Sequence, residues 1–125
     1  MIGAVGEPVD VEVSSEAFCY VTTVGRRTGR PHRIEIWFRA RRRTLYLLSG
    51  GGDRSDWVRN LRHQPRCSVE VGSRTHAARA RFTLTPEEER AARRMLAAKY
   101  QGWREGLPFS SWAATALVVA LDLAG

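Results

Sequence analysis

The sequence predicts a mainly β protein of the α+β class, in which antiparallel strands form a small, partly open barrel with one short and one longer helix at its side. Two observations support this prediction. Several short runs alternate apolar and polar side chains, and glycine-rich or polar turns separate them. In addition, 125 residues with a 43% hydrophobic composition supply one core but not two. A sheet with many strands in so short a chain tends to curl, because closure removes exposed edges.

The first half of the chain predicts a hairpin and a third strand. Residues 18–24 are rich in β-branched and aromatic side chains, and residues 33–38 alternate after a turn at 25–29. The hairpin therefore has one buried face. Residues 44–49 form the third strand, which follows an exposed basic turn at 40–43.

A short helix follows the three glycines at positions 50 to 52. Asp53 or Ser55 caps it, and it ends before Pro65. Two more strands are predicted after this helix, at 66–71 and at 78–84, with a hairpin turn at Gly72 and Ser73 between them.

A longer helix begins at Thr85, which is the predicted N-cap. Pro86 occupies the first helical position, and Glu88 completes a capping box. The helix runs to about residue 100, a loop follows, and residues 115–123 form the last strand.

We interpret residues 1–125 as one domain, in which residues 1–15 are a loose lead-in with a short edge strand at 9–13. The longest apolar stretch, 113–121, is far shorter than the ~20 residues that span a bilayer. We therefore expect no transmembrane segment and a cytoplasmic location. Cys19 and Cys67 lie in strand-like runs without metal-ligand spacing, so we expect buried thiols and no metal site.

The formal charge of +7 and the pI of about 10.6 favour an anionic partner. Lys99 is the only lysine, so nearly all of the positive charge is arginine, and a general arginine bias is the alternative explanation. A nucleic-acid surface interleaves aromatic and basic side chains on one exposed strand face. Only Trp37, between Arg33 and Arg39, fits that pattern. We therefore expect no specific nucleic-acid partner.

Common catalytic motifs are absent. The sequence contains no G-x-S-x-G, no H-E-x-x-H and no C-x-x-C, and its three histidines lie in three different predicted elements. The glycine run is followed by neither Lys-Ser nor Lys-Thr, which excludes a P-loop.

The first hairpin turn has the groups that bind phosphate. Arg26, Arg27 and Thr28 supply guanidinium groups, a hydroxyl and backbone amides, and His32 and Arg33 extend the same region. The alternative is that arginines at a hairpin tip are simply solvated surface.

The glycine run and the short helix are suited to a flat ring. Gly50 and Gly51 allow the backbone to approach a ligand closely. Trp57 and Asn60 are three residues apart, so they share a helical face beside that loop. Trp57 is equally explained as a core anchor, and Asn60 as a brace for a loop.

The stretches "TTVGRRTGRPHRIEIWF" and "LYLLSGGGDRSDWVRNLRHQPRCSVEVG" resemble the deazaflavin-dependent nitroreductase family, a branch of the flavin and deazaflavin oxidoreductases with the split β-barrel fold. The resemblance covers residues 20–100 and depends on a G-R-[RK]-[ST]-G turn, a Ser-Gly-rich loop and a Trp-x-x-Asn-Leu helix. It implies binding of coenzyme F420, which carries a phosphate and a polyglutamate tail. It also implies hydride transfer from reduced F420 to an electrophilic acceptor such as a quinone or nitro compound.

By the same resemblance, particular residues contact the cofactor. The predicted set comprises the tail-binding Arg26, Arg27 and Thr28, the ring-binding Ser49, Gly50 and Gly51, and Asn60 with Trp57 in support. The chain departs from the family at Gly50 and His32, where relatives often have lysine and arginine. Some relatives place tyrosines of the segment after the long helix beside the substrate, which makes Tyr100 and Trp103 candidates here. The cofactor supplies the hydride chemistry, so no catalytic acid or base is required.

Alternatives stay open at this point. FMN can replace F420 in barrels of this kind, and a non-catalytic carrier of a cofactor or lipid-like ligand has the same binding parts. The expected partner is a small-molecule electron acceptor. A barrel of this size often closes against a second subunit, so a homodimer is a further possibility.

Overall fold

A computed structural model describes residues 15–124. The strands are β1 (Cys19–Val24), β2 (Pro31–Ile36), β3 (Arg39–Arg41), β4 (Thr44–Ser49), β5 (Arg66–Val71), β6 (Arg74–Arg81) and β7 (Leu117–Leu123). The helices are a 3-10 helix (Gly52–Arg54), α1 (Asp56–His63), α2 (Pro86–Gln101) and α3 (Ser111–Thr115). The edge strand predicted at 9–13 lies outside the described residues.

The seven strands form one antiparallel sheet in the order β2-β1-β5-β6-β7-β4-β3. Ile34 and Ile36 of edge strand β2 pack against the same core cluster that contains Leu45 and Leu47 of β4. Four strands separate β2 from β4 in the sheet order, so this contact requires the sheet to curl. The predicted partly open barrel, with one short and one longer helix at its side, is confirmed.

The inner face of the curled sheet encloses the main core. Val21, Val69 and Val119 are fully buried there, and α1 adds Val58 and Leu61, which are also fully buried. Burying side chains of this size contributes about 1.5–3 kcal/mol each. Burial of Val58 and Leu61 in this core therefore attaches α1 to the half-barrel.

A second cluster lies on the outer face of the sheet. Leu96 of α2 packs there against Tyr46 and Leu48 of β4 and against Val118 of β7. Because α2 covers this face, the sheet around β4 is packed on both sides.

The N-terminus of α2 is attached to the sheet by an ionic network. Thr85 Oγ1 accepts a hydrogen bond from Glu88 N, as predicted, but the Glu88 carboxylate does not turn back to complete the capping box. It accepts instead from Tyr46 Oη at 2.6 Å and from both terminal nitrogens of Arg81 at 2.8 Å. Arg81 also donates to Asp122 of β7. Hydrogen bonds from Arg81 hold the pKa of Glu88 at about 2.

Four predicted boundaries were wrong. Strand β2 spans Pro31–Ile36 and not 33–38, so it begins and ends two residues earlier than predicted. Residues 39–41 pair with β4, so the basic turn contains only Arg42, with a φ of 58°, and Arg43. Strand β6 begins directly after the Gly72–Ser73 turn and ends at Arg81. The last strand begins at Leu117, because Ser110 Oγ accepts from Ala113 N and caps the short helix α3.

Cys19 and Cys67 are free thiols, and burial raises the pKa of Cys19 to about 12 and that of Cys67 to about 11. Within residues 15–124, no group of three metal-ligating side chains converges. The helices in this range are too short or too polar to cross a membrane.

Candidate functional site

The turn between β1 and β2 is closed by its own backbone. Gly29 N donates to Gly25 O, and Gly25 N donates to Arg30 O, both at 2.8 Å. A Cβ on Gly25 would lie 3.0 Å from Arg30 O and 3.1 Å from Thr28 Oγ1, and Gly29 has a φ of 73°. Glycine is favoured at both positions for these reasons. The two glycines thus determine how the arginines between them are presented.

Asn60 attaches this turn to helix α1. Its side chain is 2% exposed, and its Oδ1 accepts from Arg26 N at 3.1 Å and from Arg26 Nη1 at 2.9 Å. Its Nδ2 donates to Thr23 Oγ1 at 3.0 Å. Arg26 Nη2 donates to Asp56 Oδ1 at 3.0 Å, and this hydrogen bond lowers the pKa of Asp56. Arg26 therefore uses its backbone amide and both terminal guanidinium nitrogens in hydrogen bonds within the protein.

A cavity of about 210 Å³ lies over the turn. It is lined by Gly25, Arg26, Arg27, Thr28, His32, Asp56 and Asn60. We call it the turn cavity. It brings together five of the residues predicted to bind the cofactor, three of them from the turn and one each from β2 and α1.

The turn cavity offers donors to an anion. Arg27 is exposed, and within residues 15–124 neither its guanidinium nor the backbone amides of Arg27 and Thr28 have a protein hydrogen-bond partner. Among the described residues that line this cavity with Arg26, Arg27 and His32, Asp56 is the one that carries a carboxylate. This donor set suits a phosphate or a run of carboxylates.

Two predicted site residues lie elsewhere. Arg33 is on the opposite face of β2 from His32, where its guanidinium lies 4.0 Å from the centre of the Tyr20 ring and 3.1 Å from Glu70 Oε1. Trp57 is 8% exposed and belongs to the main core. Its ring anchors α1 to the core, and little of the ring is exposed to contact a ligand.

The loop after β4 is fixed by two serines. Ser49 Oγ donates to Gly52 O at 3.1 Å and shares a 2.9 Å hydrogen bond with Ser55 Oγ. Ser55 occupies the predicted N-cap position of α1, but its hydroxyl makes this contact and does not cap the helix. Gly50 is exposed, and a Cβ there would touch only Trp112, at 3.8 Å. Gly50 is therefore accessible to a ligand, and Trp112 of α3 stands beside it.

A second cavity, of about 260 Å³, lies beside this loop. We call it the aromatic cleft, and its lining residues are Phe18, Glu35, Ile36, Trp37, Leu48 and Trp112. The ring of Trp37 stacks on Tyr100, with centroids 4.3 Å apart and planes 3° from parallel. Trp112 meets Trp37 edge-on at 5.4 Å. Two tryptophans from distant parts of the chain thus border one cleft.

The predicted substrate-side residues are placed differently. Tyr100 stands behind Trp37, and its Oη donates to Ala17 O at 2.6 Å. Trp103 donates to Leu107 O and packs on Phe109, outside the cleft. Sequence reasoning assigned Trp37 no place in a cofactor site. In the predicted strand, Trp37 shares a face with Arg33 and Glu35, and an aromatic side chain on that polar face was the available signal.

The two cavities lie along one strand. His32 of β2 lines the turn cavity, whereas Glu35 and Ile36 of β2 line the aromatic cleft. Ile36 shares the face of β2 that carries His32, and at ~3.3 Å per residue the two positions are about 13 Å apart, whereas Glu35 shares the opposite face with Arg33. The arrangement suits an elongated ligand with an anionic end and a flat ring, and it defines a half-barrel that binds a flavin-like cofactor.

The comparisons with known proteins agree with this description. The model of the F420H(2)-dependent quinone reductase family matches residues 4–108, and the chain belongs to that family. It is an F420-dependent oxidoreductase, as the resemblance in its turn, loop and helix motifs implied. No curated protein sequence matches the chain.

Solved structures share its split-barrel fold. The conserved hypothetical protein Rv2991 from Mycobacterium tuberculosis matches at a TM-score of 0.67 and 17% identity, over 100% of this chain and 86% of that one. An F420 reductase matches at 0.63 and 16%, over 90% of each chain. A third structure, described as a domain-swapped dimer, matches at 0.63 and 20%, over 85% of this chain and 80% of that one. At these identities the likeness establishes the fold alone.

The residues present fit F420. The turn cavity supplies donors that have no protein partner within residues 15–124 and that suit a phosphate and carboxylates. An exposed glycine loop and the aromatic cleft follow along β2. The departures from the family at Gly50 and His32 leave this fit intact, because Gly50 opens the loop and His32 still lines the turn cavity.

Proposed function

We propose that the protein reduces an electrophilic organic acceptor of the quinone or nitro type with reduced F420. The two-part site along β2 carries this proposal, because it separates a cationic cavity from an aromatic cleft by about the length of a fused ring system. When bound, reduced F420 supplies a hydride and a proton, which together convert a quinone to its hydroquinone.

The residues of the turn cavity divide into two roles in this proposal. Arg27 and the amides of Arg27 and Thr28 bind the anionic tail, with His32 beside them. Arg26 and Asn60 position the turn, because their donors and acceptors already pair with each other. The original prediction gave Arg26 and Arg27 the same role, whereas these contacts favour Arg27 as the direct ligand.

The ring-binding residues are the loop and its neighbours. Ser49, through its bond to Ser55, fixes the backbone of Gly50 and Gly51. Trp112 stands beside the loop, since a Cβ on Gly50 would lie 3.8 Å from its ring. Trp57 supports α1 beneath the site.

The test is a titration with F420 of the wild type, Arg27→Ala and Arg33→Ala at low and moderate salt. Arg27→Ala is expected to weaken binding by about 1.5–3 kcal/mol, the range for hydrogen bonds to charged groups, which is about 10- to 150-fold. Arg33→Ala removes the same charge from the opposite face of β2 and is the matched control. Equal losses in the two variants would show that general charge attracts the cofactor and that the turn cavity does not.

The same titration with FMN separates the alternatives. FMN has a single phosphate and no polyglutamate tail, so the turn cavity predicts tighter and more salt-sensitive binding of F420. Tight binding of F420 without reduction of any quinone or nitro compound would favour a non-catalytic carrier.

Two further expectations belong to this proposal. A homodimer is supported by the structural relative described as a domain-swapped dimer, and light scattering of the purified protein measures it. The cytoplasmic location stays a prediction from the sequence.

A further inference from the structure

We propose that a third cavity, between α2 and α3, binds a small monocarboxylate with an apolar tail, and that this site is separate from the cofactor site. The cavity has a volume of about 380 Å³, and its lining residues include Leu84, Glu89, Arg90, Arg93, Phe109 and Ala114. We call it the helix cavity. The inference goes beyond the proposed function, because binding at the helix cavity needs no F420.

The helix cavity lies apart from the two cavities along β2. It shares no lining residue with the turn cavity or with the aromatic cleft. Ala114 of α3 lines the helix cavity, whereas Trp112 of the same helix lines the aromatic cleft. Residues two apart on a helix do not face the same side, so the two cavities lie on different sides of α3. A ligand in the helix cavity therefore leaves the cofactor site open.

Part of the wall of the helix cavity is apolar. Leu84 is half-buried against the cluster on the outer face of the sheet, and Phe109 is also half-buried. The ring of Trp103 packs on Phe109 with centroids 5.1 Å apart, and Trp103 Nε1 donates to Leu107 O at 2.8 Å. These contacts hold Phe109 in place, so its remaining surface is available to an apolar tail.

Arg93 is also held in place at this cavity, with its side chain 15% exposed. Its Nε and Nη2 donate to Glu89 Oε2 at 3.3 Å and 3.0 Å, and its Nη1 donates to Ala113 O at 2.9 Å. A guanidinium has five N–H donors, so two have no partner within residues 15–124, one on each terminal nitrogen. Donors of a preorganised guanidinium suit a carboxylate, because little entropy is lost when it binds.

The charges of the helix cavity favour a single negative charge on the ligand. Two arginines and one glutamate line it, which gives a net charge of +1, and Glu89 already pairs with Arg93. Arg90 is exposed, and its guanidinium has no hydrogen-bond or ion-pair partner within residues 15–124. A monocarboxylate would balance this charge, whereas a second negative charge would face Glu89.

The size of the helix cavity sets the size of the ligand. Its volume of about 380 Å³ lies within the ~300–1,000 Å³ that is usual for ligand pockets and exceeds the volumes of the turn cavity and the aromatic cleft. A benzene ring with a short chain fits this volume, so 3-phenylpropionate is the probe. Its amide keeps the shape without the charge, and acetate keeps the charge without the tail.

The experiment titrates the three probes into isotope-labelled protein, with and without saturating F420, and follows the backbone amide chemical shifts. We expect 3-phenylpropionate to bind with a Kd of about 0.1–1 mM, which is usual for a ligand of this size, and F420 should not change this Kd. The largest shifts should occur at residues 84–93 and 109–114. Because Arg90 is exposed, we expect the amide to bind only about three- to tenfold more weakly, and acetate at least about tenfold more weakly.

Two pairs of variants locate the site. Ala114→Leu fills the helix cavity and should abolish binding of 3-phenylpropionate, whereas Ala98→Leu adds the same side chain at an exposed position of α2 outside the cavity. Arg90→Ala should weaken binding of the carboxylate about three- to tenfold and leave binding of the amide unchanged. Arg27→Ala removes the same charge from the turn cavity, so it should weaken binding of F420 and leave binding of 3-phenylpropionate unchanged.

The site is overturned if 3-phenylpropionate shows no saturable binding to the wild type, if its shifts centre on residues 25–32 or 48–50, or if F420 displaces it. Equal binding by Ala114→Leu and Ala98→Leu would also overturn the position. Equal affinity for the carboxylate and the amide would overturn the role of charge. Failure of the wild type to bind F420 would instead refute the proposed function, and the titration with 3-phenylpropionate alone would still decide whether the helix cavity is a ligand site.

Discussion

Asn60→Ala tests whether the turn that presents Arg27 depends on one buried amide. The substitution removes three hydrogen bonds, two to Arg26 and one to Thr23, from a side chain that is 2% exposed. It also leaves Arg26 N without its acceptor. The change therefore affects the attachment of the turn to α1 and leaves the core contacts of Val58 and Leu61 in place.

The size of the stability loss in Asn60→Ala follows from the types of hydrogen bond that are removed. Two of the three are neutral and contribute about 1 kcal/mol each, and the bond from Arg26 Nη1 is charge-assisted and contributes about 1.5–3 kcal/mol. The Arg26 side chain is 21% exposed and keeps Asp56, so the lower end of that range applies. We expect the free energy of unfolding to fall by about 3–3.5 kcal/mol.

Urea unfolding measures this change. With a slope of about 2 kcal/mol per molar urea, the midpoint should fall by about 1.5 M. Asn60→Asp is the control, because one oxygen still accepts from Arg26. The Thr23 hydroxyl must turn from His32 O to donate to the other oxygen, so the loss should be smaller than that of Asn60→Ala but not zero. A loss below about 0.5 kcal/mol for Asn60→Ala would refute the view that Asn60 anchors the turn.

Two further substitutions test the loop and the ionic network. Gly51→Ala places a Cβ 2.6 Å from Ser55 Oγ, so the Ser55 hydroxyl must rotate away from Ser49. Loss of that hydrogen bond should lower the stability by about 1 kcal/mol in thermal unfolding. The same substitution in a Ser55→Ala background should show no such loss. Glu88→Gln tests how the charge of Glu88 makes the stability depend on pH. Arg81 lowers the pKa of Glu88 from 4.5 to about 2, so the ionised carboxylate stabilises the fold above pH 4.5. This contribution is lost as the pH falls toward 2. The wild type should therefore lose more stability than Glu88→Gln between pH 5 and pH 2, and parallel stability curves would contradict the assignment.

Local patterns in the sequence predicted most of the secondary structure. The alternation of residues 66–71 matched β5 at both ends, and Thr85 with Pro86 marked the start of α2 correctly. These signals are local, because a strand period and a helix cap depend on neighbouring residues. The short strand β3 was missed, since three arginine-rich residues have too little apolar alternation to indicate a strand.

The sequence by itself determined the family, the turn between two required glycines and the open loop at Gly50, because each depends on residues that are close in the chain. Only the tertiary structure decided that Arg26 pairs with Asn60 while Arg27 has no hydrogen-bond partner within residues 15–124, and that Trp37 and Trp112 border one cleft. The physical reason is the curl of the sheet. Periodicity states which side chains share a face of one strand, whereas closure of the half-barrel determines which distant faces meet.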